Sequence, residues 1–141
     1  MRKPVRFVIP VLLLALAVSV PARAGDNPAG SPQVKAYETL MKAVAAGDYE
    51  AYKKAMTKAA AAEIDKQTKE MGLDVKKTMG FLQAMTPSDI QYTGLKVNGK
   101  KATLDATGKM DGETNWGTVE LEQEDGQWKV VSQSWTNTRK K

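Results

Sequence analysis

Three short reversals constrain this chain more than anything else in it. Asn98-Gly99, Asp111-Gly112 and Asp125-Gly126 stand thirteen and fourteen residues apart, with alternating apolar and polar residues between them. Asn-Gly and Asp-Gly accept the left-handed backbone of a two-residue hairpin turn, whose twist matches that of the strands it joins. Together they predict a four-stranded antiparallel meander near residues 90–97, 100–110, 113–123 and 127–135. If each dipeptide is its own loop, strand partners sum to 197, 223 and 251 across the successive turns, and every side chain is assigned a face.

On this register one face carries Leu95, Ala102, Leu121 and Val130, then Thr93, Leu104, Val119 and Ser132, with Val97 and Trp128 beside the turns. It is the face to be covered. Its far row, Gln91, Ala106, Gly117 and Ser134, is small and polar, and is the expected ligand cavity, because missing side-chain volume leaves room. Trp128 and Trp135 are seven positions apart in one predicted strand. An odd spacing sends them to opposite faces, so Trp135 is expected on the outer face opposite Trp116. With Ile90 and Tyr92 these two rings form the expected partner surface, an aromatic end on an otherwise hydrophilic sheet.

The residues before the meander repeat at helical spacing. Ser31 and Pro32 start a helix through Val34, Tyr37, Leu40, Met41 and Val44 that ends at Gly47. Asp48 caps a second helix, with Tyr49, Tyr52, Met56, Ala59, Ala60 and Ile64 in line. After Gly72, Asp74 caps a third, which carries Val75, Met79, Leu82 and Met85 to Thr86-Pro87. The predicted class is therefore α+β, three helices packed on a curved four-stranded antiparallel meander.

The first twenty-four residues have the form of a secretory signal: Arg2, Lys3 and Arg6, an apolar run from Phe7 to Val20, and Pro21-Ala22-Arg23-Ala24 as cleavage site. The expected organisation is signal 1–24, flexible lead-in 25–31, one domain 32–136 and basic tail 137–141, in a periplasmic or secreted protein. No cysteine follows the apolar run to take a lipid. Four of the 21 Lys and Arg fall in the signal, leaving seventeen against 16 acids, a net charge of +1. A nucleic-acid partner, which needs concentrated basic charge, is not expected. The chain has no cysteine and no histidine, so neither a disulfide nor the commonest general base and metal ligand is present.

The helices placed first, the AGDYEAYKKAM stretch that begins the second helix, and the closing DGQWKVVSQSW strand resemble the nuclear-transport-factor-two-like, cystatin-like superfamily, near its small exported lumazine-binding-like proteins. The resemblance implies a sheet wrapped around a helix, a cone with a potential ligand cavity. That superfamily holds isomerases, cyclases, dehydratases and non-catalytic accessory domains, so the fold alone selects no activity, and no active-site motif carries over to a position here. Tyr92 and Asp105, predicted neighbours across the first hairpin, are the one pair of isomerase type, but the register puts both on the watered face, where little tunes a carboxylate. The expected function is an exported, non-catalytic binding domain without metal or cofactor, for a small apolar molecule or an envelope protein. The alternatives are a small isomerase or cyclase using a carboxylate in the cone, and a homodimeric interaction module.

Overall fold

The computed structural model describes residues 28–138. The expected signal segment 1–24, its cleavage site, the first part of the lead-in and the basic Arg139-Lys140-Lys141 lie outside the described residues. From the lead-in, Pro28 is buried and its carbonyl accepts from the Ser31 amide at 3.0 Å, so this part is an ordered turn.

Among the described residues four helices precede the sheet: α1 (Pro32–Ala46), α2 (Tyr49–Lys54), α3 (Lys58–Glu70) and α4 (Val75–Ala84). Their starts follow the expected caps. The side chains of Ser31, Asp48 and Asp74 accept from the amides of Val34, Ala51 and Lys77, satisfying donors that a first helical turn leaves open. Gly47 closes α1 at φ 68°, a left-handed value that costs glycine little.

The helix expected to run from Tyr49 past Ile64 is two helices. Thr57 stops it, because its side chain caps α3 through the Ala60 amide. Its backbone N–H donates to the Val130 carbonyl at 3.0 Å, while the Val130 N–H donates to Ala55. Residues 55–57 thus form a short parallel bridge on the outer edge of the last strand. Apolar spacing runs unbroken through this point, so periodicity could not show it.

The sheet contains β1 (Ser88–Asn98), β2 (Lys101–Met110), β3 (Glu113–Glu124) and β4 (Gln127–Thr136), in the order β1-β2-β3-β4, all antiparallel. The second and third turns close as expected, Met110 facing Glu113 and Glu124 facing Gln127, with Asp111, Gly112, Asp125 and Gly126 all at positive φ. The first does not. Asn98 pairs with Lys101, so the loop is Gly99-Lys100 with only Gly99 at positive φ, the glycine-first turn of type II′. Partners beside it sum to 199 instead of 197. The slide is two residues, so faces are preserved there.

Three register shifts interrupt the sheet: one at the start of β1, between Ser88 and Gln91, and two β-bulges that change the faces of the residues at issue. In β4, Val130 faces Leu121 but Ser132 faces Glu120, leaving Val131 as an extra residue. In β1, Gly94 faces Asp105 but Tyr92 faces Ala106, leaving Thr93 extra. Each inserted residue reverses the side on which the following side chains emerge. The core-facing rows are therefore Val97, Ala102, Leu121 and Val130; Leu95, Leu104, Val119 and Gln133; and Tyr92, Ala106, Gly117 and Trp135. They pack with Val34, Tyr37, Leu40, Val44, Tyr52, Met56 and Ile64 in a single core, in which Tyr37, Leu40, Leu104 and Val119 have no exposed surface.

Trp128 and Trp135 are thus on the same side of the sheet despite their odd spacing. Trp135 faces Gly117 instead of Trp116, and Trp116 faces Thr136 on the outer side. Of the expected partner surface, Ile90, Tyr92 and Trp135 pack against the core and only Trp116 remains outside. Of the expected cavity quartet, Ala106 and Gly117 are buried on the core face, while Gln91 and Ser134 are exposed on the other. The volume missing at Gly117 is filled: a Cβ built there would lie 2.7 Å from three atoms of the Trp135 ring.

Candidate functional site

Beyond Trp135, the core does not close. A cavity of about 320 Å³ opens between the C-terminal half of α4 and the end of the sheet. Val44, Ile64, Leu82, Met85 and Trp135 are apolar residues of its lining, and Asn115, Gln133 and Tyr52 are lining residues that carry polar groups. Asp111 and Glu113, on the second hairpin, stand at its rim with exposed side chains.

The local sequence explains each placement. The Val131 bulge turns Gln133 and Trp135 inward, and Gly117 admits the indole flat against the β3 backbone. The Tyr37 hydroxyl donates to Gln133 Oε1 at 2.6 Å, and Trp135 Nε1 donates to the same oxygen at 3.2 Å. An indole nitrogen only donates, which settles which amide atom is the oxygen. The Gln133 side chain is thereby oriented, and its Nε2 has no partner among the described residues. Tyr37 also meets Tyr92 edge-to-face, ring centres 6.4 Å apart.

Tyr52 is the distinctive group. Only 2% of it is exposed, yet its hydroxyl has no hydrogen-bond partner among the described residues. No fully enclosed side-chain nitrogen or oxygen among those residues lacks a partner. The Tyr52 hydroxyl is therefore open, and the space it lines is the cavity. Burial pushes its pKa up to about 12, with a smaller contribution from Tyr49, so it stands as a neutral donor at ordinary pH. Burial likewise raises the Tyr37 phenol, and raises Tyr92 to about 12 with help from Glu38. Asn115, 8% exposed, donates from Nδ2 to the Glu113 carbonyl and leaves Oδ1 as an acceptor.

A second hollow, of about 560 Å³, runs over Ala36, Thr39, Ala51 and Trp128. Its polar lining is exposed or half-buried, and no fully enclosed unpartnered group among the described residues points into it.

Tyr92 and Asp105 are not a pair. The Thr93 bulge turns Tyr92 into the core, whereas Asp105 stays on the outer face, accepting from Thr118 Oγ1 at 3.4 Å. One substrate cannot meet both. Groups of three or more acidic side chains able to hold a metal are absent among the described residues. Tyr52 and Gln133 escape sequence reasoning because Tyr52 sits on a regular apolar stripe and the face of Gln133 depends on the Val131 bulge, whereas Asn115 keeps the core face that the unshifted β2–β3 register gives. Gly94, interrupting β1 beside the extra Thr93, is the one available signal for a bulge. Comparison with protein-family models, with curated proteins and with solved structures finds no match for this chain.

Proposed function

We propose that this chain is an exported, non-catalytic binding domain of the nuclear-transport-factor-two-like, cystatin-like kind, taking a small and mostly apolar molecule into the open end of its cone. The observation that carries the reading is Tyr52, an almost wholly buried residue whose hydroxyl is open and has no partner among the described residues, in the lining of a cavity that is otherwise largely apolar. The open hydroxyl is met by water when the cavity is empty, and a bound acceptor takes that water's place. Concave, apolar sites with a few converging polar groups are where small molecules bind. Export is supported by the signal-like first twenty-four residues.

The enzyme reading is weaker on this geometry. The cavity's two carboxylates, Asp111 and Glu113, are exposed at its rim instead of being held beside the unpartnered phenol.

The test is titration with propionyl-dimethylaminonaphthalene, a neutral aryl ketone whose emission shifts to the blue in an apolar site. Binding is expected with energy transfer from tryptophan that falls in Trp135→Phe, and with affinity about five- to tenfold weaker in Tyr52→Phe. No shift up to the probe's solubility, or identical binding to Tyr52→Phe, would sink the proposal.

A further inference from the structure

We infer that the ligand of this cavity is an amphiphile with an uncharged hydrogen-bond acceptor at its inner end and a cationic group, such as an amine, at the rim. The inference rests on the binding reading above and adds the polarity of what is bound.

The inner end is set by donors. Tyr52 offers an O–H, and Gln133, with its oxygen already held by Tyr37 and Trp135, offers the N–H groups of Nε2. Two donors fit a ketone, ester or amide oxygen. They do not fit a carboxylate, because no lysine or arginine is among the described residues lining the cavity. A buried anion without a charged partner is heavily penalised. The raised pKa of Tyr52 reports the same penalty on its own phenolate.

The rim is set by Asp111 and Glu113. Neither is in an ion pair among the described residues, where the bridges involve Glu50, Asp65, Glu70 and Asp125. The nearest lysine in sequence, Lys109, directs its ammonium at Thr114 Oγ1, 2.6 Å away. Two carboxylates at the mouth of a low-dielectric hollow favour a cation there and oppose an anion. The rim and the unpartnered, almost wholly buried Tyr52 are independent features of one cavity, and they ask for opposite ends of the same molecule.

Three forms of the naphthyl ketone decide the point: the neutral parent, one carrying a trimethylammonioethyl group on its amine nitrogen, and one carrying a carboxyethyl group there. At low ionic strength the cation is expected to bind about fivefold more tightly than the neutral form and the carboxylate about fivefold more weakly, an order that salt collapses. The double variant Asp111→Asn, Glu113→Gln should bring all three within twofold of one another. Asparagine keeps the left-handed backbone that position 111 adopts at φ 51°, so this variant folds. Tyr52→Phe should weaken all three alike.

Equal affinities for the three forms in the parent protein would overturn the inference while leaving the binding domain intact. Binding of none of them would overturn the binding reading itself. Charge selection that emerges only after Arg139, Lys140 and Lys141 are replaced by glutamine would also overturn it, since the carboxylates would then be answering the chain's own tail.

Discussion

Gly117→Ala tests the arrangement that separates this structure from a regular meander. The added Cβ would lie 2.7 Å from three atoms of the Trp135 ring, against about 3.5–4.0 Å for carbons in contact. The ring must therefore move about 1 Å or the strands must part. Forcing one methyl group into a packed core costs about 1–3 kcal/mol. Displacing the indole also strains its 3.2 Å bond to Gln133 Oε1, worth about 1 kcal/mol. The expected loss is about 2–4 kcal/mol, which for a domain of this size lowers Tm by about 8–16 °C. The sign is informative, because with open space above position 117 the same change would stabilise a strand by about 0.5–1 kcal/mol. Thermal unfolding followed by tryptophan fluorescence, in the parent and in a Trp135→Leu background, measures the coupling. In that background Gly117→Ala should cost under about 1 kcal/mol, most of the clash being gone. A neutral or stabilising Gly117→Ala, or an equal cost in both backgrounds, would refute the bulged register and the placement of Trp135 over Gly117.

Other consequences are as direct. Tyr52→Phe should leave stability within about 0.5 kcal/mol of the parent or slightly above it, because the hydroxyl has no partner to lose; a loss above about 1 kcal/mol in denaturant melts would mean that the phenol is bonded within the fold. Thr57→Ala removes the cap of α3, which the Thr57 side chain makes with the Ala60 amide at 3.3 Å, and should cost about 1 kcal/mol; an unchanged midpoint would show that the break between α2 and α3 does not depend on it. Tyr37 and Tyr52 are both raised above the ordinary tyrosine value, Tyr52 to about 12, so the folded chain keeps protons that the unfolded chain releases. Their contribution is complete below about pH 10 and is lost above it, by up to about 2.7 kcal/mol per pH unit for the two together until about pH 12. Denaturant melts stepped through that range, read beside tyrosinate absorbance, check this; more than two of the four phenols ionising before unfolding would contradict it.

Much of the fold was legible. The helix caps at Ser31, Asp48 and Asp74 and the turns at Asp111-Gly112 and Asp125-Gly126 are local chemistry, in which a side chain or a glycine meets the needs of its own neighbours. The site was legible only in fragments. Ala106 and Gly117 were placed on the core face correctly, but the space they leave is taken by Trp135, and the cavity lies farther on, lined by Tyr52, Asn115 and Gln133.

The sequence by itself determined the element types, the strand order and the alignment beside two turns, because these follow from interactions within a few residues. Which face Tyr92 and Trp135 occupy was decided only in the tertiary structure, whereas Trp128 and Trp116 lie where the register puts them. Val131 becomes the extra residue in β4 where Val130 bonds across to residues 55–57, some seventy-five positions earlier. No local pattern encodes that edge contact, yet one residue inserted there reverses the faces of all that follow it, and so moved Gln133 and Trp135 from water to the wall of the cavity.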